Sequence, residues 1–165
     1  MDEALYRLAF RVGRELKRKG LMVATAESCT GGWIGQAITM VPGSSEWFER
    51  GFITYTYISK REMLGVKGTT LARHGAVSEQ VVREMALGAL RHSHAQISVA
   101  VSGVAGPGGG TPDKPVGTVC FAWARAPGKA EVQTRRFRGD RDDVRRRTVA
   151  HALRGVLAQL AMRAR

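Results

Sequence analysis

The chain has 165 residues and a mass of 17.9 kDa, the size of one ordinary domain, 1–165, with a sizeable core. Its 44% hydrophobic and 24% charged residues exclude a disordered chain, and no apolar run approaches the ~18 residues of a membrane helix. The net charge of +12, from 26 Lys and Arg against 14 Asp and Glu, fits a polyanion, a phosphate-bearing metabolite held by one or two arginines, or equally a solvated arginine-rich helix face.

Leu5, Leu8, Ala9, Val12 and Leu16 recur at helical spacing and Gly20 stops the helix. Leu21 to Thr25 reads as a short strand. The polar turn Ala26 to Gly32 leads into a helix from Trp33 to Met40, an order that collects anions at turn amides. Pro42-Gly43-Ser44-Ser45 breaks that helix, and Glu46 to Arg50 reads as one helical turn. Gly51 to Tyr57, β-branched and aromatic, predicts a strand. Lys60 to Leu64 predicts a short helix. Ser78 caps a helix marked by Val81, Val82, Met85, Ala89 and Leu90, running to about His92.

Ile97 to Val101 predicts a buried strand, followed by the Gly-rich loop Ser102 to Gly110. Val116 to Ala124 and Glu131 to Phe137 flank Ala126-Pro127-Gly128-Lys129 as a hairpin. Asp140 caps a long final helix. From Arg135 to Arg165 there are ten Arg and three Asp, a net of +7. Strands alternating with helices, then a hairpin, predict an α/β layered sandwich with a mixed sheet flanked by helices.

The acidic start Met1-Asp2-Glu3 lacks the pattern of a signal peptide. Cys29 and Cys120 make neither a disulfide framework nor a zinc site, and a cytoplasmic setting is expected. His74, His92, His94 and His151 are scattered without metal-ligand spacing, so no metal is expected. The glycines from Gly103 to Gly110 match neither a dinucleotide fingerprint nor a P-loop. Glu27 reads equally as a turn or cap partner and as a site carboxylate. Three hydroxyl clusters, Ser28/Thr30, Ser44/Ser45 and Ser102, could supply a nucleophile, which needs a base. A desolvated Lys60 could serve, with Tyr55 beside it. The residues alone leave these arrangements open.

Thr25-Ala26-Glu27-Ser28-Cys29-Thr30-Gly31-Gly32 resembles the TAESCTGG signature of the CinA C-terminal domain family. Gly43-Ser44-Ser45 with Trp47, Phe48 and Gly51, then Met63-Leu64-Gly65-Val66 and His74 to Ser78, resemble its next segments in order. Ser102 to Pro107 is similar to its [ST]GIAGP loop. Lys114 to Val119 is similar to KPVGTV, and Gly139-Asp140-Arg141 with Arg145 to its closing motif. The resemblance implies an amidohydrolase that deamidates nicotinamide mononucleotide to nicotinate mononucleotide and ammonia, needing no cofactor or metal. It implies Ser45 as nucleophile and Lys60 as base, with Tyr55 orienting them. Ser102 and amides of the Ser45 turn would face the oxyanion, and Arg141 and Arg145 the phosphate, with the Thr30-Gly31-Gly32 turn and the Gly106 to Gly110 loop as competing phosphate cradles.

The family's YSNEAK stretch reads Tyr55-Thr56-Tyr57-Ile58-Ser59-Lys60 here. Tyr57 and Ile58 replace an Asn and a Glu, so an altered substrate, or a relative that binds a nucleotide without turnover, is a second expectation. The +12 charge motivates a third, a nucleic-acid-associated basic protein. No recognition motif supports specific nucleic-acid binding. The expected partners are a small phosphorylated substrate and a second copy in a homo-oligomer such as a dimer, with no membrane.

Overall fold

The computed structural model describes residues 1–162; Arg163 and Arg165, counted in the basic C-terminal end, lie outside them. A five-stranded mixed sheet has the order β2-β1-β3-β4-β5. Its strands are β1 (Val23–Glu27), β2 (Phe48–Ile53), β3 (Ile97–Gly103), β4 (Thr118–Arg125) and β5 (Lys129–Arg136). β1 is parallel to β2 and β3, whereas β3–β4–β5 form an antiparallel run. β1 is buried along its whole length, and β3 all but its last residue, as strands covered on both faces must be.

Helices α1 (Glu3–Lys19), α2 (Trp33–Thr39) and α6 (Arg141–Ala161) cover one face. Helices α3 (Tyr57–Leu64), α4 (Gly68–His74) and α5 (Glu79–Arg91) cover the other. The expected layered sandwich is therefore the observed one. α1 buries Leu5, Leu8, Val12 and Leu16, each contributing about 1.5–3 kcal/mol. Asp2 caps it by accepting from the Ala4 and Leu5 amides, and Gly20 closes it at φ 64°. Among the described residues no helix is long and apolar enough to cross a membrane.

Several boundaries differ from expectation. The second strand is Phe48–Ile53, not Gly51 to Tyr57, and Tyr57 opens α3. Thr56 and Ser59 exchange capping hydrogen bonds there, which ends extended structure despite the β-branched and aromatic composition. Ser44–Glu46 is a single 3-10 turn, in place of a helical turn from Glu46 to Arg50. α4 was not anticipated. β1 and β3 extend two residues further than read, to Glu27 and Gly103.

α3 sits close on α5 because residue 88 is glycine: a Cβ there would collide with the Leu64 carbonyl oxygen. Gly88→Ala must push α3 away or bend α5. It is expected to destabilise the fold by about 1–3 kcal/mol, as other overpacked sites do. Urea unfolding beside the wild type checks this.

Candidate active site

The β1–α2–β2 connection passes over one face of the sheet, and the β2–β3 connection, through α3, α4 and α5, over the other. The C-terminal ends of the adjacent parallel strands β1 and β3 therefore flank a switch point, where open α/β sheets bind their ligands. Ser28 follows β1 directly. Its amide donates to the Val101 carbonyl (3.1 Å), which carries the β1–β3 register one step on, to Ser102. Both serines are largely buried.

Lys60 comes to this point from α3, where Lys60 and Leu64, one turn apart, form the buried face. Lys60 is only 1% exposed. Its Nζ donates to Ser28 Oγ (3.0 Å) and to the Thr54 carbonyl (2.7 Å). Neither partner is a carboxylate, and burial pushes the ammonium pKa down from 10.5 to about 8. A substantial neutral fraction then exists near pH 7 to 8. This is a hydroxyl with an amine base already in contact.

Glu27 holds the turn that carries Ser28. Its buried carboxylate accepts from Thr30 Oγ1 (2.6 Å), the Ile34 amide (2.8 Å) and the Gly35 amide (3.0 Å), so it closes the first turn of α2. Gly31 and Gly32 take φ +60° and +101°, left-handed values that let the chain reverse from strand into helix. Arg145 clamps the same turn from α6. Its Nε donates to the Cys29 carbonyl (3.1 Å) and its Nη2 to the Thr30 carbonyl (3.0 Å), with the guanidinium 5.3 Å from the centre of the Trp33 ring. Cys29 itself is no nucleophile: burial pushes its thiol up to about 12, and the thiolate is the reactive form.

Glu27→Gln tests this support. The amide nitrogen would face donors at one of the two carboxylate oxygens, leaving a buried N–H unpaired at about 1–3 kcal/mol. A lower unfolding midpoint and roughly tenfold slower turnover are expected, with substrate affinity nearly unchanged. Thermal unfolding and a kcat–KM comparison measure both.

Arg141 lies one turn before Arg145 on the same face of α6. Its Nη1 donates to the Gly106 carbonyl (2.8 Å) and its Nη2 to the Tyr55 hydroxyl (3.2 Å). Tyr55 is 60% exposed. Tyr55, Arg141 and the Gly-rich loop thus form a connected rim beside the turn that Arg145 holds.

The structure brings Lys60, Ser102, Thr30, Gly31, Gly32 and Arg145 around Ser28, and Tyr55, Arg141 and Gly106 to the rim. It does not bring Ser45 there. Ser45 is exposed, in the 3-10 turn ahead of β2, whereas Lys60 follows the end of β2. The strand between them spans roughly 17 Å at ~3.3 Å per residue. The Ser45–Lys60 pairing is therefore corrected: the serine on Lys60 is Ser28. The Thr30 hydroxyl is committed to Glu27, and two guanidinium nitrogens of Arg145 to backbone carbonyls. Tyr57 and Ile58 are 51% and 63% exposed and do not fill the space around Lys60. The serine's place, at the end of an apolar strand and before a Gly-Gly turn, was a visible signal; the Thr54 carbonyl had none.

Comparison with known proteins places the chain. Residues 5–160 match the CinA C-terminal domain, and the chain belongs to that family. It is 53% identical over 158 residues, 96% of each chain, to the Escherichia coli K12 protein named nicotinamide-nucleotide amidohydrolase PncC. It is 53% identical over 150 residues to the protein of that name from Pseudomonas putida, covering 91% of this chain and 93% of the relative. Among solved structures, the competence/damage inducible protein CihA of Agrobacterium tumefaciens superposes with a TM-score of 0.94 at 45% identity, over 98% of both chains. A Klebsiella pneumoniae competence damage-inducible protein A superposes with 0.93 at 39% identity, over 97% of this chain and 99% of that one.

Proposed function

We propose that this chain hydrolyses the carboxamide of nicotinamide mononucleotide, giving nicotinate mononucleotide and ammonia through an acyl-enzyme on Ser28. The observation that carries the reading is the buried Lys60 Nζ at 3.0 Å from Ser28 Oγ. The amidohydrolase relatives at 53% identity support the substrate class.

In the neutral amine, Ser28 O–H donates to the Nζ lone pair. Lys60 takes this proton as Oγ attacks the carboxamide carbon. The resulting ammonium, still held by the Thr54 carbonyl, hands a proton to the departing nitrogen. The C–N bond breaks, ammonia leaves and the acyl group stays on Oγ. Water then attacks the ester, Lys60 again accepts the proton and returns it to Oγ, and the free acid is released. Turn amides after Ser28, together with Ser102, face the developing oxyanion. Tyr55 and Arg141 form the rim of the site, and Arg141, with the remaining Arg145 nitrogen and the Gly31-Gly32 and Gly106 backbones, receives the phosphate.

The test is ammonia release from nicotinamide mononucleotide and from its riboside. The mononucleotide is expected to be the better substrate by at least tenfold in kcat/KM, with the difference lost in Arg141→Gln. Equal rates on both substrates remove Arg141 from phosphate binding. Calorimetric binding of the mononucleotide without any ammonia release removes the amidase reading itself.

A further inference from the structure

The final helix carries its charge on two sides. Arg141 and Arg145 turn to the active site, and other arginines of α6 turn away from it toward β5. β5 is the sheet's last strand: among the described residues it pairs only with β4, and most of its residues are exposed. Between its C-terminal half and α6 lies an open groove of about 580 Å³, floored by Phe137, Ala150 and His151. Six guanidiniums line it: Arg135, Arg136, Arg138, Arg146, Arg147 and Arg154.

Little negative charge answers them. The lining carboxylate is Asp143, whose Oδ2 is occupied by the Asp140 amide in the α6 cap. Arg146 pairs with Asp2; the other five form no ion pair among the described residues. The surplus positive field registers on His151, whose pKa is held below its ordinary value by burial and then by Arg135 and Arg154. Five arginines without an ion pair around one groove set up a positive field that an anion of matching extent would neutralise. Arg147 and Arg154 are seven residues apart on one face of α6, about 10 Å. Duplex DNA presents roughly six phosphates over that length. A single small phosphate would leave most of these guanidiniums uncompensated.

We propose that the groove between β5 and α6 binds the phosphate backbone of duplex DNA, without sequence preference and independently of the active site. The groove's contribution is charge, and charge acts on the phosphates, the sequence-independent part of nucleic-acid binding. Binding follows counterion release, with the logarithm of the affinity falling linearly in log salt.

The experiment is a fluorescence-anisotropy titration of the full chain with a labelled 20-base-pair duplex at several salt concentrations between 50 and 200 mM. The wild type is expected to bind at 50 mM with a log–log slope of about −3 to −4. The exposed triple substitution R135Q/R147Q/R154Q is expected to weaken binding at least tenfold at 100 mM and to flatten the slope by about 2 to 3. Its amidase activity stays at the wild-type level. K19Q/R73Q/R91Q, which removes the same charge elsewhere, is expected to keep the wild-type slope. The inference is overturned by no binding at 50 mM, by an equal loss in both triple variants, or by tighter binding of inorganic polyphosphate of matched charge.

Discussion

Ser28→Ala is expected to lower kcat on nicotinamide mononucleotide by about 10⁴-fold or more, the order seen when a nucleophile is removed from a hydroxyl–base pair. Ser45→Ala is expected to turn over at the wild-type rate. The difference rests on geometry. Ser28 Oγ touches Lys60 Nζ inside the protein, while Ser45 sits exposed ahead of β2 at the other end of the sheet. Removing the Ser28 hydroxyl deletes the atom that forms the acyl bond in the proposed mechanism, yet it leaves the rim of Tyr55, Arg141 and Gly106 in place. Substrate affinity, read by calorimetry, should therefore change by less than about threefold. Ammonia release by the two variants, side by side, decides which serine acts.

Lys60→Met carries the other large effect, and it separates activity from stability. Turnover is expected to fall by at least about 10⁴-fold, because among the described residues no other amine or imidazole hydrogen-bonds Ser28 Oγ. At pH 7 the variant is nevertheless expected to be slightly more stable than the wild type. A lysine pKa pushed from 10.5 to about 8 disfavours the folded state by about 3 kcal/mol while the group is charged. Losing the bonds to Ser28 Oγ and the Thr54 carbonyl costs about 1 kcal/mol each. The net gain is about 1 kcal/mol. The sign reverses with pH. Between about 8 and 10.5 the unfolded lysine still binds its proton and the folded one does not, so the wild type gains stability across that window. By pH 10 it should match or exceed the variant. Urea unfolding of both proteins at pH 7 and pH 10 measures this crossing; parallel behaviour at the two pH values would mean Lys60 is not desolvated as its burial requires.

Much of the fold was legible in the chain. The period of Leu5, Leu8, Val12 and Leu16 marked α1, and Ser78 and Asp140 marked the starts of α5 and α6 with side chains that do cap them. β2 was misplaced because an edge strand takes its limits from its neighbour β1 and from the Thr56–Ser59 cap, not from its own composition. α4 escaped notice because Gly68-Thr69-Thr70 is a poor helix start; burial of Leu71 and contact with α5 sustain it. At the site, Glu27 read equally as a cap partner and as a site carboxylate, and its three hydrogen bonds put it in the first role. The Ser28–Lys60 contact was not legible, because it joins residues 32 apart across a crossover that only the sheet order defines. Sequence motifs assigned a serine to Lys60 by family likeness; topology chose a different one.

The most direct test of a lysine-activated Ser28 is the pH dependence of kcat/KM for nicotinamide mononucleotide in the wild-type protein. In the proposed mechanism neutral Lys60 is the base, so the rate should rise tenfold per pH unit through the acid range. It should level off around a midpoint near 8, the value to which burial brings Lys60. A profile that is flat from pH 6 to 10, or that falls as pH rises through 8, would contradict the account.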